Sequence, residues 1–180
     1  MKWRLRQTLT QAQKDLGVTM VYVPHDHTEA LTFAERVAVL AHGEILQTGS
    51  PEDVYQNPAH EFVGHFLGSP GMNFLPVAEL PETLQQSVRR QGDPERLGFR
   101  PESAKLAAAG TFDLTGVVSS QRVLGTQQGD VISMYGLQCG AHSVFVRSSA
   151  AQAVGDSVSI NLRHWVGFRD GIRVGRHGAE

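Results

Sequence analysis

The chain has 180 residues, of which 41% are hydrophobic and 19% are charged, and its formal net charge is -2. This composition is typical of a soluble globular protein and argues against nucleic acid as a partner, because it shows no basic surplus. The single cysteine, Cys139, excludes an internal disulfide and makes a reducing cytosol the expected compartment. No apolar run approaches the roughly 20 residues that cross a bilayer, so we expect no membrane-spanning helix.

The first residues are predicted to form a helix with one apolar face that ends near Gly17. Such a face usually covers a protein core, and binding to a membrane surface is the less favoured alternative. The residues spaced for this face are Leu5, Leu9, Ala12 and Leu16.

The run VTMVYV, residues 18–23, is unbroken, apolar and mostly β-branched. It is typical of a strand buried on both faces in a parallel sheet covered by helices. We therefore expect its neighbours to be other strands of an α/β sheet.

Two helix starts carry capping signals. Asp26 is a candidate N-cap with Glu29 three residues later, which predicts a helix of roughly eight residues. Ser50 can cap the next helix, because Pro51 suits its first position. A second short helix is expected over residues 60–68. Between these helices, two short apolar-rich segments are predicted to form a tight hairpin. The segments are residues 36–41 and 44–48, joined at His42-Gly43.

From about Ser69 the pattern changes to period-two alternation with frequent turn residues, which predicts an all-β second half. Five or so short strands in roughly 110 residues suit a small Greek-key barrel, and an OB-like barrel is preferred. The polar segment 86–98 contains Gly and Pro and is predicted to be an exposed connection. The aromatic residues expected mainly in the core are Phe112, Tyr135, Phe145, Trp165 and Phe168.

Three ordered motifs follow the apolar run. A His-Asp pair precedes a Thr-Glu-Ala helix, residues 68–73 contain Gly-Ser-Pro-x-Met-Asn, and residues 97–103 contain Gly-x-Arg-Pro-Glu. The residues of the first motif are His25, Asp26, Thr28, Glu29 and Ala30. Together these motifs resemble the C-terminal part of the ATP-binding subunit of an ABC importer, of the sugar or glycerol-3-phosphate type, with its TOBE regulatory domain.

The resemblance implies a fold and one catalytic residue. The implied fold is an α/β remnant of a P-loop NTPase (ABC) domain over residues 1–67, followed by an all-β OB-like (TOBE) barrel over residues 68–180. His25 corresponds to the switch histidine of the family's H-loop, which contacts the γ-phosphate and helps to position the attacking water. Pro24 and His27 stand where the family usually has a small hydroxyl residue and glutamine. Proline fixes φ and removes a donor, so it can re-aim this loop.

The motifs that bind nucleotide in this family are absent from the sequence. There is no Gly-Lys dipeptide, and hence no Gly-x-x-x-x-Gly-Lys-Ser/Thr loop to cradle phosphates. The Ser-Gly-Gly signature and an apolar run ending in Asp-Glu are also missing. We therefore expect no enzyme activity from this chain alone, an inactive His25 and no cofactor-binding residues. ATP and Mg would be cofactors only of complete relatives.

The expected partners follow from the same reasoning. A strand over residues 18–23 that has lost its neighbours exposes apolar edges, which recruit partners. We expect a homodimer, for which an exchange of N-terminal segments is one arrangement. The resemblance adds the membrane permease subunits of an importer, and a location in the cytoplasm or at the inner face of the plasma membrane.

Two other classes of site are less favoured by the sequence. The triplet His25-Asp26-His27 contains metal-ligand types, but adjacent turn residues rarely converge on one ion and no second cluster supplies ligands, so no metal is expected. The scattered histidines are interpreted as surface residues, and no Gly-x-Ser-x-Gly elbow supports a hydrolase. These histidines are His42, His60, His65, His142, His164 and His177. The alternative function is a self-standing OB-fold module that binds a small anion or metabolite.

Overall fold

A computed structural model describes residues 2–107 and 114–178, without the side chains of residues 2–6, 27 and 28. The helices are α1 (Lys2–Leu16), α2 (His27–Phe33), α3 (Pro51–Gln56), α4 (Glu61–Phe66) and α5 (Glu82–Arg89). The strands are β1 (Val37–Ala41), β2 (Glu44–Gly49), β3 (Asn73–Pro76), β4 (Arg96–Phe99), β5 (Ala104–Ala107), β6 (Leu114–Gln127), β7 (Asp130–Cys139), β8 (His142–Ser148), β9 (Ser157–Leu162), β10 (Trp165–Arg169) and β11 (Ile172–His177). Single 3-10 turns occupy Val77–Glu79 and Pro101–Ser103.

The strands form three antiparallel sheets. Strands β1 and β2 make an isolated hairpin, a four-stranded sheet has the order β11-β10-β4-β3, and a five-stranded sheet has the order β5-β9-β6-β7-β8. The chain is therefore mostly β-sheet with a few short helices. This architecture is consistent with the C-terminal region of an ABC ATPase domain followed by a β-barrel-like domain.

The main core lies between the two larger sheets and α5. Leu97 and Trp165 of the four-stranded sheet pack with Leu137 and Ile160 of the five-stranded sheet, and all four are buried. A smaller core joins the hairpin to α3 and α4. Its buried members are Val37, Val39, Val54, Val63 and Leu67. The first half of the chain thus has a core of its own beside that of the β half.

Several local predictions are confirmed. The turn between β1 and β2 has positive φ at His42 (51°) and Gly43 (83°), which matches the right-handed twist of the two strands. The Ser50 hydroxyl accepts a hydrogen bond from the Asp53 amide at 3.2 Å, and Pro51 begins α3. Helix α4 ends at Phe66, two residues earlier than predicted.

The prediction of a buried strand over residues 18–23 is wrong. The segment is irregular, and Val21 and Val23 are 87% and 83% exposed. A strand buried on both faces needs adjacent strands and covering helices, and within the described ranges none pairs with it. The segment's contacts with the preceding and following helices are few: the Val18 carbonyl accepts from Gln13 Nε2 at 2.7 Å, and Tyr22 contacts the Phe33 ring at 5.4 Å and donates to Glu29 Oε2 at 3.2 Å.

The prediction of an exposed connection over residues 86–98 is also wrong at both ends, because its last residues, 96–98, belong to β4 and Leu97 is fully buried. Residues 86–89 belong to α5, which buries Leu84 and Val88 in the main core. Leu84 and Val88 are four residues apart, so they lie on one face of α5 despite the polar residues between them.

The aromatic prediction is confirmed for most of its members. Tyr135, Trp165 and Phe168 are buried, whereas Phe145 is 39% exposed and Phe112 lies outside the described residues. The N-terminal helix α1 forms as expected, but it does not cover a core here, since Leu16 is 72% exposed. Over the described ranges, no helix combines the length and apolarity that crossing a membrane demands.

Candidate functional site

His25 does not lie at the end of a strand. It is exposed in a bend that immediately precedes α2, and Pro24 before it is half-buried. The sheet edge that would present a histidine to a nucleotide is therefore not formed by the described residues. The role of His25 stays a prediction from resemblance.

The structure does not test the triplet of residues 25–27 as a metal site, because the His27 side chain lies outside the description. Across residues 2–107 and 114–178, no group of three or more His, Cys, Asp or Glu side chains could hold a metal ion. Burial raises the pKa of the Cys139 thiol to about 11, which makes it a poor nucleophile at neutral pH.

The most constrained polar group that the structure describes is Arg100, in the Gly-x-Arg-Pro-Glu motif. Its side chain is fully buried. Nη1 donates to the carbonyls of Gly64, at 2.9 Å, and Leu67, while Nε and Nη2 both donate to the Tyr55 carbonyl, at 3.1 and 2.8 Å. Four of its five N–H donors are thereby satisfied by backbone oxygens.

These carbonyls belong to helix ends. Tyr55 is in the last turn of α3, and Gly64 and Leu67 are in the last turn and at the C-cap of α4. The last carbonyls of a helix have no partner inside the helix, and they carry the negative end of its dipole. Arg100 therefore caps two helices at once with a positive charge.

The local sequence holds Arg100 in place. It follows β4 and precedes Pro101, and its extended backbone (φ -77°, ψ 148°) is the conformation that a residue before proline prefers. Its guanidinium carbon lies 3.9 Å from the centroid of the Tyr55 ring, so the planar cation also stacks on an aromatic face.

Tyr55 and Glu102 complete the arrangement. The Tyr55 hydroxyl donates to Glu102 Oε1 at 2.9 Å. Burial and then the Glu102 carboxylate raise the pKa of Tyr55 to about 12, because both disfavour a phenolate. Burial lowers the pKa of Arg100, and electrostatic interactions with Tyr55 and the Glu102 carboxylate oppose that shift.

The Gly-Ser-Pro-x-Met-Asn motif crosses from α4 into β3 beside Arg100. Gly68 has φ +105°, and a Cβ there would meet the Pro70 carbonyl at 2.9 Å. A Cβ on Gly71 would collide with the His65 carbonyl, so both glycines permit close backbone approach. The Ser69-Pro70 peptide is cis.

Asn73 ends this motif and joins the two larger sheets. It lies in β3 of the four-stranded sheet, and its amide bonds the backbone of Phe145 in β8 of the five-stranded sheet. Nδ2 donates to the Phe145 carbonyl at 2.8 Å, and Oδ1 accepts from the Phe145 amide at 2.7 Å. The pair imitates the reciprocal bonds between two strands.

Further contacts tie α3 and α4 to the β half. The Glu61 amide donates to the Gly171 carbonyl at 2.8 Å, and Arg173 Nη1 donates to the Asn57 carbonyl at 2.6 Å. Arg96 forms an ion pair with Glu61 at 2.6 Å. These contacts surround the junction but contain no nucleophile paired with a base.

The arrangement is suited to holding two parts of the chain together. A guanidinium whose donors are engaged by backbone carbonyls is not available to bind a phosphate or carboxylate. Sequence reasoning singled out both motifs but assigned no role to Arg100 or Asn73. The one signal in the sequence was that Arg100 stands among apolar residues, Leu97, Phe99 and Pro101, which are buried in the structure. This pattern hints at burial but does not identify the distant carbonyls that Arg100 binds.

Replacing Arg100 by Ala should lower the free energy of unfolding by about 3 kcal/mol or more, because three helix-end carbonyls lose charged donors. Urea denaturation followed by circular dichroism measures the change. Arg122→Ala, on the exposed part of β6, is the matched control and should change stability by less than about 0.5 kcal/mol. Equal losses in the two variants would contradict the capping role.

Stability should fall between pH 10 and pH 12, partly because of Tyr55. The raised pKa means that the folded state holds the Tyr55 proton more tightly than the unfolded state does. The contribution of Tyr55 to the free energy of unfolding is therefore full below the unfolded-state pKa of 10.0 and is lost as the pH rises towards about 12. Urea midpoints measured across this range should fall less steeply for Tyr55→Phe. An unchanged slope in Tyr55→Phe would refute the assignment.

Comparison with known proteins supports the resemblance. The chain is 42% identical over 126 residues to the sn-glycerol-3-phosphate import ATP-binding protein of Chromohalobacter salexigens, covering 62% of this chain and 34% of that protein. It is 33% identical over 181 residues to the spermidine/putrescine import ATP-binding protein of Pseudomonas fluorescens, covering 86% and 47%. It is 36% identical over 141 residues to the maltose/maltodextrin import ATP-binding protein of Yersinia pestis, covering 69% and 38%.

No protein-family model matches the chain. The chain spans about a third to a half of the length of these curated relatives. The matched span is consistent with the C-terminal part of such a subunit. The chain is therefore a homologue of the ATP-binding subunits of ABC importers.

Proposed function

We propose that the chain acts as the C-terminal part of an ABC importer ATP-binding subunit that does not itself bind ATP and that supplies assembly and regulatory surfaces. The transported compound would be a sugar or glycerol-3-phosphate, the type that two of the three relatives above are named for. Residues 68–180 would be its TOBE domain, an OB-like barrel. The observation that carries the proposal is the Arg100 junction, which holds helices α3 and α4 of the first half against the β half.

The chain lacks most of the groups that nucleotide binding requires. A nucleoside triphosphate with magnesium needs several backbone amides, a lysine and a metal-side carboxylate around its phosphates. The sequence contains no Gly-Lys pair, and the Arg100 donors are already engaged. An exposed His25 adds one neutral contact, which cannot offset the missing charges.

Titration calorimetry with MgATP should detect no binding at micromolar affinity, and phosphate release should stay at background. A complete maltose import ATP-binding protein serves as the positive control. His25→Ala should behave like the parent chain, because the histidine has no phosphate site to act on. Phosphate release that disappears in His25→Ala would overturn this part of the proposal.

Self-association is proposed from the exposed apolar segment. Residues 18–23 form no strand, and Val21 and Val23 are more than four-fifths exposed at 87% and 83%. Apolar β-branched segments without partner strands tend to pair with another chain. A second copy is the partner proposed here, with N-terminal segments exchanged around a twofold axis.

Light scattering in the micromolar range should give twice the chain mass of 19.6 kDa. Val21→Lys combined with Val23→Lys should shift the mass towards the monomer, because a charge on a paired apolar edge opposes association. Val131→Lys is the matched control, since Val131 is 50% exposed on the β6–β7 hairpin. A monomeric parent chain, or dissociation by Val131→Lys alone, would contradict the segment's role.

The importer role places the chain in the cytoplasm, at the inner face of the plasma membrane and in contact with permease subunits. Copurification with permease subunits after crosslinking in membranes would support this role. The competing function is a self-standing binding module. This function would be supported if a small anion or metabolite raised the melting temperature of the chain and no permease subunit copurified with it.

A further inference from the structure

A small cleft lies between α5 and the strands β9, β10 and β11, away from the Arg100 junction. Its volume is about 130 Å³. The lining residues are Thr83, Leu84, Ser87, Leu162, Trp165 and His177. Leu84, Leu162 and Trp165 are buried and form the apolar wall, whereas the other three line the cleft from exposed positions.

The cleft carries polar groups that the described structure leaves unused. No hydrogen bond among residues 2–107 and 114–178 engages the hydroxyls of Thr83 and Ser87 or the indole N–H of Trp165. Trp165 as a whole is only 1% exposed, and its indole N–H is a donor that a ligand in the cleft can use. Thr83 and Ser87 are four residues apart on α5, so their hydroxyls lie on the same side of the helix.

The cleft wall is held in place on its other side. The His177 ring stacks on Trp165 with 5.7 Å between centroids and 23° between planes. Gln91 follows the C-terminal end of α5, and its Nε2 lies 3.4 Å from His177 Nδ1, so it helps to position the imidazole. The cleft therefore has an ordered aromatic side opposite a side with two hydroxyls.

The chemistry of the lining selects a neutral ligand. None of the six residues is Asp, Glu, Lys or Arg, so an ion entering the cleft would lose hydration without gaining an opposite charge. Hydroxyls and an indole N–H suit a ligand whose own hydroxyls both donate and accept. The leucine and indole surfaces suit its C–H groups.

The volume limits the ligand's size. A cleft of about 130 Å³ is well below the roughly 300 Å³ at which pockets for drug-sized ligands begin. A polyol of about three or four carbons is small enough for such a space. We propose that the cleft between α5 and β9–β11 binds a small neutral polyol through Thr83, Ser87 and the Trp165 indole. This site does not depend on nucleotide or on the importer role.

The test follows the indole N–H signal of Trp165 by NMR in the ¹⁵N-labelled chain. The sequence contains two tryptophans, so Trp3→Phe assigns the remaining indole signal to Trp165. Glycerol and erythritol are titrated as neutral polyols, acetate and inorganic phosphate as anions, and glucose as a larger polyol. Both small polyols should shift the signal to saturation below about 100 mM, as expected for ligands of few atoms.

Thr83→Val combined with Ser87→Ala removes both hydroxyls at nearly constant volume. It should weaken polyol binding at least about fivefold, the effect of one lost neutral hydrogen bond. Ser87→Ala alone is the second variant if the pair fails to fold. Thr115→Val with Ser157→Ala, two exposed hydroxyl positions on β6 and β9, is the matched control and should bind like the parent.

Saturable shifts that weaken only in the cleft variants would support the site. Shifts that grow linearly without saturation, or that persist unchanged in Thr83→Val with Ser87→Ala, would overturn it. Tighter binding of acetate, phosphate or glucose than of glycerol and erythritol would overturn the ligand class.

Discussion

The fold depends on one buried cation, Arg100, whose hydrogen-bond partners among the described residues are all backbone carbonyls. Removing a guanidinium from water is costly, and here the cost is offset by the partial negative charges of helix-end carbonyls, by their hydrogen bonds and by the face of Tyr55. Arg suits this position better than Lys, because only a planar fork can reach Tyr55, Gly64 and Leu67 together. The same group that completes two short helices also fixes them against the β half.

This capping explains how helices of six residues persist. Isolated helices of that length are unstable in water, since the cost of nucleation is spread over very few hydrogen bonds. Helices α3 and α4 are stabilised instead from outside, by Arg100 at their C-terminal ends and by burial of Val54 and Val63. The helices of the first half are therefore stabilised in part by Arg100, which lies in the loop after β4 in the second half.

Structural features that depend on neighbouring residues could be predicted from the sequence, whereas features that depend on distant residues could not. The Ser50 cap, the His42-Gly43 turn and the period-two strands depend on neighbouring residues, and the structure contains them. The strand expected over residues 18–23 needed partner strands that no local pattern reports. The partners of Arg100 lie 33 to 45 positions away, so spacing could mark its motif but could not reveal its burial. Helix α5 was missed because its apolar positions are sparse among polar residues.

Asn73 has a consequence for the relative placement of the two larger sheets. Apolar packing between sheets is non-directional and tolerates sliding, because one leucine contact is readily exchanged for another. A side-chain amide that both donates to and accepts from the backbone of Phe145 has only one satisfying position. Asn73 therefore fixes the offset between the two sheets. If one sheet slid along the other, the Asn73 amide would lose both hydrogen bonds while remaining buried.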